Sequence, residues 1–146
     1  MSKNLEESGL KSIFSKYDLF FIDIWGVVHN GIKLYENAIK VLEKLSDNKK
    51  KFILLTNAPR PNLTVINTLK KMGLNKFSDT VFTSGEASKR YLLKNFNNKK
   101  FFHLGPPKDF DLFKTFEDNK VLNIDDSDYL LCSKVLNKSK SLCGPR

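Results

Sequence analysis

Residues 19 to 25 read L-F-F-I-D-I-W, a near-continuous apolar run broken by one carboxylate. Such a run is the signature of a strand buried on both faces of a parallel sheet, and it constrains the fold more than any other segment. Helical and strand-like segments then alternate along the rest of the chain. Tyr35 to Leu45 sets Ala38, Ile39, Val41, Leu42 and Leu45 at helical spacing, with Glu36, Lys40, Glu43 and Lys44 outside. A second buried strand is expected over Lys51 to Leu55, ending at Thr56-Asn57 and a loop with two prolines. Asn62 is placed to cap a helix carrying Leu63, Ile66, Leu69 and Met72 and closed by Gly73. A third strand over Thr80 to Phe82 leads into Thr83-Ser84-Gly85-Glu86 and a helix through Leu93. A fourth strand over Phe101 to Leu104 stops at Gly105-Pro106-Pro107. Asp109 to Phe116 is read as a short helix and Asp128 to Cys132 as a fifth strand, while Ser133 to Arg146 shows no period. Strands alternating with helices predict an α/β domain with a largely parallel sheet.

At 146 residues the chain has room for one ordinary domain and not for a second. Its net charge of +9 raises the question of a nucleic-acid partner. Lys outnumbers Arg by 22 to 3, however, and Arg is the residue whose rigid fork reads bases and phosphates. The excess is also spread evenly, with 12 basic against 7 acidic residues over 1 to 73 and 13 against 9 over 74 to 146. The charge therefore reads as a solvated surface, and no nucleic-acid partner is expected. Cys132 and Cys143 form no C-x-x-C motif, so neither a zinc site nor a disulfide framework is implied. No apolar run approaches the roughly 18 residues that span a bilayer, and the N-terminus lacks an apolar signal core. A cytoplasmic protein without membrane contact is expected.

In parallel α/β sheets ligands bind at the carboxyl ends of the strands. Asp23 stands there on the first strand, followed by Gly26 and Gly31. An unpaired carboxylate costs too much to bury, so Asp23 either meets a cation or hydrogen-bond cluster or is exposed at the strand tip. Thr56-Asn57 ends the second strand, and Thr83-Ser84-Gly85 opens a helix, where free N–H groups favour anions. Together these residues can form a phosphate-handling pocket, with Asp23 as nucleophile, Thr56 as donor to phosphate and Gly26 permitting close backbone approach. Taken singly, each has a simpler reading: Asp23 as a helix cap or lysine partner, Thr56-Asn57 as a turn, Ser84 as an N-cap and His29 as a packing or solvent-facing residue.

D-I-W-G-V-V-H-N-G at 23 to 31, L-L-T-N-A-P-R at 54 to 60 and V-F-T-S-G-E-A at 81 to 87 resemble the haloacid dehalogenase superfamily of aspartate-nucleophile hydrolases. The likeness is narrower to its class IIA branch of p-nitrophenylphosphatase-like and sugar-phosphate phosphatase-like members, and covers about residues 15 to 132. The resemblance implies a Rossmann-like core and phosphatase chemistry on a small phosphorylated metabolite through an aspartyl-phosphate. By position, Asp23 would be the nucleophile and a Mg²⁺ ligand, the main-chain carbonyl of Trp25 a second ligand, and Thr56, Asn57 and Gly26 the phosphate-binding residues. Mg²⁺ would offset the repulsion between carboxylate and phosphate.

Two departures bear on activity. The family's second motif-I Asp, its general acid and base, is here Trp25, which transfers no proton; His29 is a conceivable substitute carrier. The motif-III Lys and acidic metal pair have no counterpart, for Lys108 fits the segment before the cap and Asp125-Asp126 reads as loop. The expected organisation is a partial core over 1 to 128 and the start of a truncated cap segment over 129 to 146. The alternative to a phosphatase is a catalytically silent binding or interaction module, or half of a split enzyme. A homodimer or a complementing C-terminal fragment is then the expected protein partner. A receiver domain is set aside, since the first strand supplies one carboxylate where an acidic pair is needed.

Overall fold

The computed structural model describes residues 9–133. They fall into two compact units, one of residues 9–56 and 66–82, the other of residues 57–65 and 83–133. The expected end of the cap segment and Cys143 lie outside the described residues.

The first unit holds a three-stranded sheet of order β1-β2-β3, with β1 at Leu19–Asp23, β2 at Lys51–Thr56 and β3 at Val81–Thr83. β1 and β2 run parallel, in a register that pairs Phe20 with Phe52, Ile22 with Leu54 and Asp23 with Leu55. β1 stops two residues before the end of the apolar run, because Ile24 opens a tight turn, and it is not the strand buried on both faces that the run predicts, since Leu19 and Phe21 are exposed among the described residues. Helix α1, Glu36–Asp47, buries Leu42 and Leu45, which join Ile24, Val28, Phe52, Leu54, Leu69, Leu74 and Val81 in the core. Val41, expected on the inner face, is exposed. Helix α2, Asn62–Lys71, begins at Asn62 itself. Gly73 follows it at φ +100°, the left-handed conformation in which helices commonly end.

The second unit contains α3, Ser84–Asn95, and a separate parallel pair, β4 at Phe101–Leu104 and β5 at Tyr129–Cys132. The parallel strands are thus divided between two small sheets. The expected short helix over 109 to 116 is two 3₁₀ segments, Pro107–Leu112 and Lys114–Asn119, kinked at Phe113 and Phe116. Their purpose is visible in the packing. Leu112, Phe113 and Phe116 turn inward onto Phe101 and Leu131, and the rings of Phe113 and Phe116 meet Phe101 edge-on at 5.3 and 5.4 Å. Asp125-Asp126 sits on a single exposed 3₁₀ turn, not on a strand.

Among the described residues no helix is long and apolar enough to cross a membrane. A cavity of about 320 Å³ lies between Leu10, Phe14, Val41 and Leu45. None of the sequence-predicted site residues lines it.

Candidate functional site

The carboxyl edge of the first sheet brings together Asp23, Trp25, Gly26 and Thr56. Asp23 ends β1 with its side chain exposed, and among the described residues it has no ion pair. Of the two environments open to this carboxylate, the structure has the exposed strand tip. Its register partner is Leu55, so Thr56 leaves β2 one residue beyond it.

The turn after Asp23 is fixed by one carbonyl. Ile24 N–H donates to Leu55 O at 3.1 Å, while Ile24 O accepts from Val28 N at 2.8 Å and from the amides of Val27 and His29 at 3.3 Å. Folding the chain this tightly places Gly26 at φ +77°, with its N–H donating to His29 O at 2.8 Å. The indole of Trp25 stays 66 % exposed and stands edge-on to the His29 ring, centroids 5.3 Å apart. Among the described backbone hydrogen bonds none ends on the Trp25 carbonyl.

His29 is a packing residue and not a solvent-facing one. It is 7 % exposed, and its Nδ1 accepts from Gly31 N–H at 2.8 Å, which leaves the ring proton on Nε2. Burial holds its pKa below the ordinary histidine range. Asn30 completes the loop by accepting from Ile32 and Lys33 amides at 3.0 and 2.9 Å.

The sequence marks Gly31 only as a glycine after the first strand, and the structure gives it a packing role. It adopts φ +91°, and a Cβ there would lie 2.6 Å from Cη2 of Trp25. The tryptophan that replaces an expected carboxylate thus rests on a glycine six positions later.

Asn57 is exposed and belongs to the second unit. In that unit the loop over 58 to 62 closes onto the start of α3. Gly85 N–H donates to Ala58 O at 3.1 Å, Ser84 Oγ donates to the same carbonyl, and Thr83 Oγ1 donates to Arg60 O while accepting from Glu86 N–H at 2.9 Å. Thr83, not Ser84, is therefore the N-cap. The Gly85 and Glu86 amides, expected to be open to an anion, are taken by protein oxygens. Asn62, expected as a cap, instead accepts from Thr83 N–H at 3.0 Å and gives its own N–H to Glu86 Oε2 at 3.2 Å. Burial pushes the Glu86 carboxyl upward, but Arg90, the Asn62 amide and Lys89 outweigh it and leave the pKa below the usual value. Gly85 has no room for a side chain, since a Cβ would come within 2.2 Å of Arg60 N.

Among the described residues no three His, Cys, Asp or Glu side chains gather to form a metal site. The donors at the sheet edge are the exposed Asp23 carboxylate and the Trp25 carbonyl. Two oxygens suit Mg²⁺, which binds proteins through one or two carboxylates and takes its remaining ligands from water and phosphate.

Comparison with known proteins gives this arrangement its context. The family model of haloacid dehalogenase-like hydrolases matches residues 20–117. A haloacid dehalogenase-like hydrolase from Brucella suis shares the fold at a TM-score of 0.75 and 26% identity, over 90% of this chain and 50% of its own. A 4-nitrophenylphosphatase from Thermotoga maritima matches at 0.67 and 26%, over 87% and 49%. A p-nitrophenyl phosphatase from Archaeoglobus fulgidus, 22% identical, shows the same fold at 0.61 over 77% and 43%. No curated protein sequence matches. The chain spans about half the length of the solved structures it resembles. With the family model covering both strands that carry Asp23 and Thr56, the chain belongs to the haloacid dehalogenase-like hydrolases.

Proposed function

We propose that the chain carries the nucleophile-bearing part of a class IIA, Mg²⁺-dependent phosphatase acting on a small organic phosphate. The observation that carries this reading is the exposed Asp23 carboxylate at the carboxyl end of β1, in register with the residue before Thr56. Asp23 attacks phosphorus; the new bond runs from its carboxylate oxygen to phosphorus and the bond from phosphorus to the leaving oxygen breaks, giving an aspartyl-phosphate. The Thr56 hydroxyl donates to a phosphoryl oxygen, with Asn57 beside it in sequence, and Gly26 lets the backbone approach the phosphate closely. Asp23 and the Trp25 carbonyl would hold Mg²⁺, which would supply charge neutralisation between nucleophile and phosphate.

Trp25 supplies no proton, so the leaving oxygen takes one from solvent; water then attacks phosphorus without a protein base, the bond from the Asp23 oxygen to phosphorus breaks, the water proton goes to solvent, and phosphate and the free carboxylate are released. Slow turnover is the consequence. The division into a partial core over 1–128 and a cap start from 129 belongs to the same proposal.

Hydrolysis of 4-nitrophenyl phosphate with and without Mg²⁺, by the wild type and Asp23→Asn, tests the reading. Mg²⁺-dependent release of nitrophenol that Asn abolishes supports it. The second reading, a catalytically silent interaction module, is favoured by Trp25 in the position of the proton carrier; a folded wild type with no turnover would select it.

A further inference from the structure

The motif T-S-G-E at 83 to 86 has no part in the chemistry proposed for Asp23 and Thr56, yet all four of its residues are engaged with the loop that follows Thr56. That loop is poorly equipped to hold itself. Two of the five residues between Thr56 and Asn62 are prolines, Pro59 and Pro61, which have no N–H to donate. Ala58 and Arg60 each precede a proline, which drives them to extended backbone rather than to a self-closing turn. Their carbonyls take donors from the start of α3. Ser84 Oγ and Gly85 N–H both donate to Ala58 O at 3.1 Å, and Thr83 Oγ1 donates to Arg60 O. At the far end of the loop Asn62 Oδ1 accepts from Thr83 N–H at 3.0 Å, and Asn62 N–H donates to Glu86 Oε2 at 3.2 Å. Residues 58, 60 and 62 are thus each tied to residues 83–86, all within the second unit. Thr83 is the centre of this clamp. It is fully buried, and its one hydroxyl grips the loop at Arg60 O while capping α3 at Glu86 N–H. Gly85 permits the close approach, since a Cβ there would strike the Arg60 backbone.

We propose that Thr83 is a positioning residue for phosphate binding. By holding the loop that begins at Asn57 it fixes how the chain runs on from Thr56, and so the presentation of the Thr56-Asn57 pair to the phosphate. The inference rests on the phosphatase reading and extends it to a motif that reading leaves without a role. Thr83 touches neither substrate nor reacting atoms; it acts through the carbonyls of the loop. An extended, proline-bearing loop without this clamp would sample other courses, and a group that touches substrate tolerates little misplacement.

The test is hydrolysis of 4-nitrophenyl phosphate with Mg²⁺ by the full chain, in a double-variant cycle with Thr56→Val. Thr83→Val keeps the shape and deletes both contacts of the hydroxyl. On protein whose far-UV circular dichroism matches wild type, it should lower kcat/KM by about 10- to 100-fold. Thr83→Ser, which keeps the hydroxyl, should recover most of that loss. In the Thr56→Val background the same Thr83→Val change should cost no more than about twofold, because the group it positions is already gone. A role confined to capping α3 would instead lower the rate equally in both backgrounds. Should Thr83→Val not fold, Ser84→Ala decides: it deletes a donor to Ala58 O from an exposed side chain and leaves the cap intact. It should then lower kcat/KM in the wild-type background and not beside Thr56→Val. Equal losses in the two backgrounds, or a folded clamp variant as active as wild type, overturn this inference alone. A wild type without Mg²⁺-dependent turnover overturns the phosphatase reading, and the inference with it.

Discussion

Asp23 and Leu55 are register partners on neighbouring parallel strands, which brings Thr56 to the carboxyl edge of the sheet just past the carboxylate. On the proposed chemistry the Thr56 hydroxyl stabilises charge that grows on a phosphoryl oxygen. Removing one such donor typically costs about 10²-fold in turnover. Thr56→Val, which keeps the shape and deletes the hydroxyl, should lower the rate of aryl phosphate hydrolysis by about that factor, read on protein whose folding is confirmed by circular dichroism.

Trp25 stands where a proton carrier is expected, and positioned acid–base groups contribute about 10²- to 10⁴-fold. Trp25→Asp should therefore raise hydrolysis of 4-nitrophenyl phosphate within that range. The gain should be larger for alkyl phosphates, whose leaving oxygen needs its proton more. Steady-state rates on both substrate types check this.

Gly31 holds φ +91° beneath the indole, with space for a Cβ only 2.6 Å from the ring. Gly31→Ala adds a left-handed penalty of about 1–2 kcal/mol and pushes the ring away. Urea denaturation should show a loss of that size. Trp25 is the chain's single tryptophan, so its emission reports the displacement directly, as a red shift in the folded state.

His29 and His103 both titrate below the ordinary value near 6.5, His29 because of burial, His103 because of burial and Lys120 against an opposing Asp109. The folded chain thus favours the neutral imidazoles, and the unfolded chain binds more protons between the folded values and about 6.5. Their contribution to stability is complete above that pH and is lost as pH falls through the folded values. Glu86, also lowered, keeps its contribution above about 4.5 and loses it in more acid solution. Denaturation from pH 8 to 5 should show stability declining below about 6.5, with a shallower decline in His29→Gln, whose amide oxygen can still accept from Gly31.

Much of this fold is legible in local pattern. The run L-F-F-I-D, the helical spacing of Leu42 and Leu45 and the stop at Gly105 each arise from side chains within a few residues of one another. Strand-end placement likewise singled out Asp23 and Thr56, which the register sets at one edge of the sheet. What sequence did not carry depends on contacts between distant residues. The role of Gly85 is set by Arg60 backbone and the environment of Thr83 by Arg60 and Asn62, 23 and 21 residues away. Expecting Ser84 as the cap was a reasonable reading of composition; the loop over 58 to 62 moves the cap back to Thr83. For His29 the sequence left packing and solvent-facing readings both open, because its neighbours are glycines and asparagine. Its burial comes from the same tight turn that gathers three amides on Ile24 O. The break into two sheets is equally non-local, for Phe101 to Leu104 reads as a strand whichever neighbour it finds.

The central claim is that Asp23 is the nucleophile, and rapid quenching with mass spectrometry of its peptide tests it most directly. Mixed with 4-nitrophenyl phosphate and Mg²⁺, the wild type should carry one phosphoryl group on the peptide containing Asp23. With no protein base to speed its hydrolysis, that adduct should accumulate, and Asp23→Asn should show neither adduct nor nitrophenol release. Hydrolysis that continues undiminished in Asp23→Asn, with no adduct on the wild-type peptide, would contradict the account.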